Sequence, residues 1–94
     1  MWKFLENAKG RPRIENLLRA KELLLELPSL ISSIKTFEVG ENLNPGTDSF
    51  DLVLNSTFAS PEALQAYRDH PEHQRVVGFL RAVRSAHAVV DYEC

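Results

Sequence analysis

Residues 49–58, SFDLVLNSTF, constrain the fold more than any other stretch of the chain. Phe50, Leu52, Leu54, Ser56 and Phe58 share one side of an extended backbone, and Asp51, Val53, Asn55 and Thr57 share the other. Side chains alternate across a strand with a period of two, so the pattern predicts a strand with one face in a core. The second face is polar without being uniformly charged, which suits water, a partner sheet or a ligand. Directly afterwards, Ser60-Pro61-Glu62 forms a compact helix start. Ser60 can cap, Pro61 fits the first helical position, and Glu62 favours the positive end of the helix dipole.

The rest of the chain falls into place around that strand and helix. Residues 1–5, MWKFL, read as a short strand, and residues 8–13, with Gly10 and Pro12, as a loop leading into a helix that has Pro12 in its first turn. Arg13 to Leu27 is the clearest helix, rich in Leu, Glu, Lys, Arg and Ala. Glu15, Arg19, Glu22 and Glu26 form a narrow polar face, and Ile14, Leu17, Leu18, Ala20, Leu23, Leu24, Leu25 and Leu27 fill most of the remainder. One sheet does not need so wide an apolar surface, so a second contact is expected. Pro28 is expected to end this helix, because the residue before a proline is biased out of the α region.

A strand over 31–42 follows, with Lys35, Phe37 and Val39 alternating with Ile34, Thr36 and Glu38. Asn44, Pro45 and Gly46 then supply a turn. The helix begun at Ser60 runs through Leu64 and Tyr67 and is interrupted near His70-Pro71. A further helix carries Val76, Leu80 and Val83 at helical spacing, and a last strand covers 86–92, with His87, Val89 and Asp91 on one face. The order is strand, helix, strand, strand, helix pair, strand. That is an α+β, ferredoxin-like plan, a four-stranded antiparallel sheet with helices on one face. Two such sheets packed face to face would cover the other side.

Ninety-four residues make a single domain, 1–94. The net charge of −2 is spread through the chain, and no basic patch with interleaved aromatics points to nucleic acid. Lys9, Arg11 and Arg13 read as a solvated loop and first helical turn. A lone Cys94 excludes an intrachain disulfide. No apolar run approaches the ~20 residues that span a bilayer, and no charged start with an apolar stretch marks a secretory signal, so a cytoplasmic location is expected.

Three stretches resemble the stress-responsive dimeric A/B-barrel family: SIKTFEVGENLNP, SFDLVLNSTFASPEALQAYRDHPEHQRVVGFL and AVVDYE. Phe58, Glu62, Ala63, Leu64, Tyr67, His70, Pro71 and His73 match its characteristic positions, and YRDHPEH is the most specific run. The resemblance implies a homodimer with facing sheets and a C-terminal strand that crosses to the partner. Many members have no assigned activity. One plant member closes a linear polyketide acid by aldol condensation without a cofactor, using an acid/base pair that corresponds to Tyr67 and His73. The chain departs from the pattern at its start, where members commonly carry more residues and a His on the first strand.

Several residues are candidates for chemistry. A His titrates near neutral pH and can move a proton at an enol or ketone, so His73 is the candidate general base, with Tyr67 holding a carbonyl oxygen. The structural alternatives are that His70 caps the helix after Pro71, His73 packs or bonds to backbone, and Tyr67 belongs to the core. Asp69, His70, Glu72 and His73 cluster but lack a metal-ligand spacing, so no metal or cofactor is expected. His87 is assigned to a subunit interface, Asp51 and Asp91 to solvent or an interface, and Cys94 to an exposed end. The expected function is that of a binding or structural dimer, with a small-molecule ligand left open. The alternatives are a cofactor-free cyclase or lyase using His73 and Tyr67, and a cofactor-free monooxygenase similar to the antibiotic-biosynthesis monooxygenases of the same barrel.

Overall fold

The computed structural model describes residues 1–43 and 50–91. Among these residues, nine elements follow in chain order: β1 (Trp2–Phe4), β2 (Asn7–Ala8), β3 (Arg11–Pro12), α1 (Arg13–Leu30), β4 (Ile34–Glu41), β5 (Leu52–Phe58), α2 (Pro61–Asp69), α3 (Pro71–Val83) and β6 (Arg84–His87). The main sheet runs β4-β5-β1-β6, with every neighbouring pair antiparallel. This is the ferredoxin-like α+β architecture expected from the order of elements.

The alternation in β5 does what it predicts. Leu52 is buried and Leu54, Ser56 and Phe58 are partly buried, whereas Val53, Asn55 and Thr57 are exposed. In β4, Phe37 and Val39 pair with Ser56 and Leu54 on the core side, and Thr36 and Glu38 pair with Thr57 and Asn55 on the open side. The register shifts between Ile34 and Thr36. Two residues there oppose one on β5, a bulge, and it returns Ile34 to the core side with Phe37. Strict alternation had put those two on opposite faces.

The core lies between the sheet and α1 and α3. Phe4, Leu52, Leu17, Leu24, Leu27, Val76, Leu80 and Val83 form its centre. The surplus apolar surface of α1 is left outside it, with Ile14, Leu18 and Leu25 each about half exposed. Pro28 does not end α1, which continues to Leu30. The buried Leu27 and Ile31 anchor the extra turn, Ile31 N–H bonds to the Leu27 carbonyl, and the Ser29 hydroxyl donates to the Glu26 carbonyl.

The expected loop at 8–13 is a small hairpin of β2 and β3. Its two connecting residues, Lys9 and Gly10, both have positive φ (53° and 73°), the signature of a type I′ turn. Pro12 is the residue before α1 rather than in its first turn. Asn16, fully buried, donates through Nδ2 to the carbonyls of Ala8 and Arg11 and pins the hairpin to α1.

β1 is central and short. It meets β5 at a single register pair, Trp2 with Leu52, and the Asp51 carboxylate accepts from Phe4 N–H at 2.8 Å. A side chain here does what a ladder carbonyl would do. β6 starts two residues before the expected strand and ends at His87, although Met1 and Ala88 still exchange bonds. The turn expected at Asn44-Pro45-Gly46 lies outside the described residues, as do Tyr92 and Cys94. Among the described residues, no helix is long and apolar enough to cross a membrane.

Candidate functional site

The junction of α2 and α3 builds the site. Ser60 Oγ accepts from Ala63 N–H and Pro61 opens α2. Pro71 forces the preceding residue out of helix, and His70 is extended at φ −66°, ψ 134°. His70 serves both helices. Its N–H bonds to the Tyr67 carbonyl, and its Nδ1 accepts from Glu72 N–H at 3.1 Å to cap α3. The break turns the chain so that His73, in the first turn of α3, meets Tyr67 near the end of α2. Their ring centroids are 4.3 Å apart.

Tyr67 is a core residue, 6 % exposed, with its ring 5.1 Å from Phe58 and 6.4 Å from Phe37. Burial pushes its hydroxyl up to about 12, so it stays a protonated phenol at neutral pH. His73 is half-buried. Desolvation is the largest influence on it and holds the imidazole below the ordinary His value, aided by the Arg68 charge and opposed by the backbone hydrogen bond. Nδ1 lies 3.1 Å from the Arg68 carbonyl. A carbonyl only accepts, so Nδ1 carries the proton and neutral His73 keeps its lone pair on Nε2. That is the tautomer a general base needs. The bond came from a backbone carbonyl, which every residue possesses, so residue types alone gave no sign of Arg68's part in orienting His73.

The other candidates lie elsewhere. Asp51 holds β1, and Asp91 pairs with the Arg68 guanidinium, so the two acids have separate partners. His87 is exposed opposite Trp2, whose ring packs on the helix side of the sheet. Among the described residues, no three His, Cys, Asp or Glu side chains converge as metal ligands. A cleft of about 320 Å³ opens at the end of α1, where His70 lines it and Tyr67 and His73 do not.

Residues 1–94 match the family model of the stress responsive A/B barrel domain. The chain belongs to that family. This A/B barrel domain is 29% identical to an uncharacterized protein of Streptomyces coelicolor over 91 residues, covering 95% of this chain and 90% of the relative. A crystal structure from Bacteroides fragilis, described as a dimeric protein of unknown function with a ferredoxin-like fold, is 32% identical with a TM-score of 0.80. It is matched over 99% of this chain and 89% of that one. A dimeric ferredoxin-like protein of unknown function from Jannaschia sp. is 29% identical with a TM-score of 0.72, over 97% and 93% of the two chains. A third, from Thermobifida fusca, shares the fold at 16% identity and a TM-score of 0.75, over 92% and 77%.

Proposed function

We propose that this A/B barrel domain is a homodimer that serves as a binding or structural unit, joined through the open face of its sheet. One observation carries this. The helices cover one face only, and the other presents Thr36, Glu38, Val53, Asn55 and Thr57 to solvent in register across β4 and β5. Val53, near the start of β5 and opposite Gly40, is the apolar side chain of that set and is 42 % exposed. The surface mixes an apolar group with hydroxyl, amide and carboxylate groups that can hydrogen-bond across a two-fold axis. The dimeric state of the similar solved proteins supports it. Sedimentation of wild type against Val53→Glu tests it. A charge placed there raises the dimer dissociation constant about tenfold or more if the face is the interface, and leaves it unchanged if it is not.

The contact of Tyr67 with His73 favours a second activity on the same scaffold, a cofactor-free cyclase or lyase acting on a small polyketide-like carbonyl compound. His73 Nε2 takes a proton from carbon beside a carbonyl, and the Tyr67 phenol donates to the oxygen as charge develops on it. The phenol is protonated and His73 keeps its Nε2 lone pair, and because Tyr67 is buried and outside the cleft, this activity requires the packing around Tyr67 to open to the substrate. Turnover of a β-diketone substrate that survives in both His73→Gln and Tyr67→Phe would remove this activity from consideration.

A further inference from the structure

α2 is the least anchored helix over the sheet. Among the described residues, Tyr67 is its one buried side chain, against six in α1 and three in α3. Both of its ends are joints. Ser60 (φ −158°, ψ 164°) and His70 (φ −66°, ψ 134°) are extended, and a proline follows each. Between the joints, Tyr67 holds α2 to the sheet, its ring against Phe37 of β4 and Phe58 of β5. Lifting α2 uncovers Tyr67 and the side of the His73 ring that packs on it. Toward the end of α1, a cleft of about 320 Å³ borders Ala66 and His70 and leaves α2 room to move.

Arg68 ties α2 down from both its backbone and its side chain. In a continuous helix its carbonyl would accept the N–H of residue 72, but Glu72 N–H bonds His70 Nδ1 instead. His73 Nδ1–H and Gln74 Nε2–H take that place, at 3.1 and 2.6 Å. The Arg68 guanidinium pairs with Asp91, in the segment after β6. The two charged side chains are 43 % and 45 % exposed, and such pairs are weak. A weak tie suits an element that opens locally while the rest of the domain stays folded.

We infer that α2 is a lid over Tyr67 and His73, and that Arg68 is its latch, fastened to the segment after β6 by Asp91 and to α3 by His73 and Gln74. Opening admits a substrate to the two rings. Closing returns the Arg68 carbonyl to His73 Nδ1–H, so the imidazole is held in its basic tautomer only when the lid is shut. Arg68 is thus a positioning residue. As a gate for chemistry, the lid rests on the cyclase or lyase reading. Its motion does not, and is measured without substrate.

The test is acetylation of the Tyr67 phenol by N-acetylimidazole in the full chain, read by peptide mass spectrometry at urea concentrations below the unfolding transition. In wild type the rate should depend on urea far less than global unfolding does, as a local opening requires. Asp91→Asn should speed it about two- to fivefold, the range for an exposed ion pair, and Gln74→Ala about fivefold. Salt at about 1 M should raise wild type to the level of Asp91→Asn and leave that variant unchanged. A urea dependence equal to that of global unfolding would overturn the lid. A rate that either substitution leaves unchanged would overturn the latch, because the phenol would then be reached without releasing Arg68. Turnover in His73→Gln and Tyr67→Phe is a separate readout, so failure of the lid and failure of the cyclase or lyase reading are told apart.

Discussion

His73 packs against Tyr67 with the two rings tilted 47° to each other across the break at Pro71, and donates Nδ1–H to the carbonyl of Arg68, one residue beyond the tyrosine. The helix break therefore does two things at once. It brings the two rings together, and it fixes the tautomer of the imidazole.

The first consequence is a pH dependence. The folded state holds His73 below its ordinary value, so the unfolded chain takes up the proton first as pH falls. His73 thus contributes stability that is fully present above about pH 6.5 and is lost as pH falls from there toward its folded value. Thermal unfolding at pH 7.5 and 5.5 should show a larger drop in Tm for wild type than for His73→Gln. Equal drops would show that His73 is not desolvated.

Tyr67 gives the matching effect at the alkaline end. Its folded value of about 12 exceeds the ordinary 10, so its contribution is present below pH 10 and lost between 10 and 12. Ultraviolet titration of a Tyr92→Phe variant, which isolates Tyr67, should show phenolate forming above pH 11 or only with unfolding. Titration near pH 10 in a folded chain would contradict its burial.

The Asn16 side chain holds two backbone carbonyls of the β2–β3 hairpin. Asn16→Ala should destabilise the domain by about 1–3 kcal/mol, the range for removing bonds to buried groups. Urea unfolding measures this, and amide exchange at Ala8 and Arg11 should accelerate more than at Val76 in the core.

Asp51 replaces a ladder bond on the central strand. Its hydrogen bond is charge-assisted, and Asp51→Ala should cost about 1.5–3 kcal/mol, with faster exchange of the Phe4 amide. Unchanged exchange at Phe4 would mean that β1 is held without it.

Much of this architecture is visible in residue order, for physical reasons. The alternation of Leu52 to Phe58 reports a half-buried strand because only one face has helices over it. Ser60-Pro61-Glu62 reports a helix start because capping is local chemistry. What stayed hidden depends on packing between segments. Pro28 was expected to stop α1, but burial of Leu27 and Ile31 carries the helix on to Leu30. The Ile34 bulge and the Lys9-Gly10 turn are one-residue adjustments that leave little trace in periodicity. At the site, YRDHPEH named Tyr67 and His73, but their contact needed the turn angle at His70, and the orienting carbonyl needed coordinates.

The proposed homodimer on the open sheet face is tested most directly by analytical ultracentrifugation of wild type and Val53→Glu over about a hundredfold concentration range. The wild type should sediment at twice the 10.7 kDa chain mass, with Val53→Glu shifted toward the single chain and unchanged in helix content. A wild type that stays at 10.7 kDa throughout, or a dimer indifferent to Val53→Glu, would contradict it.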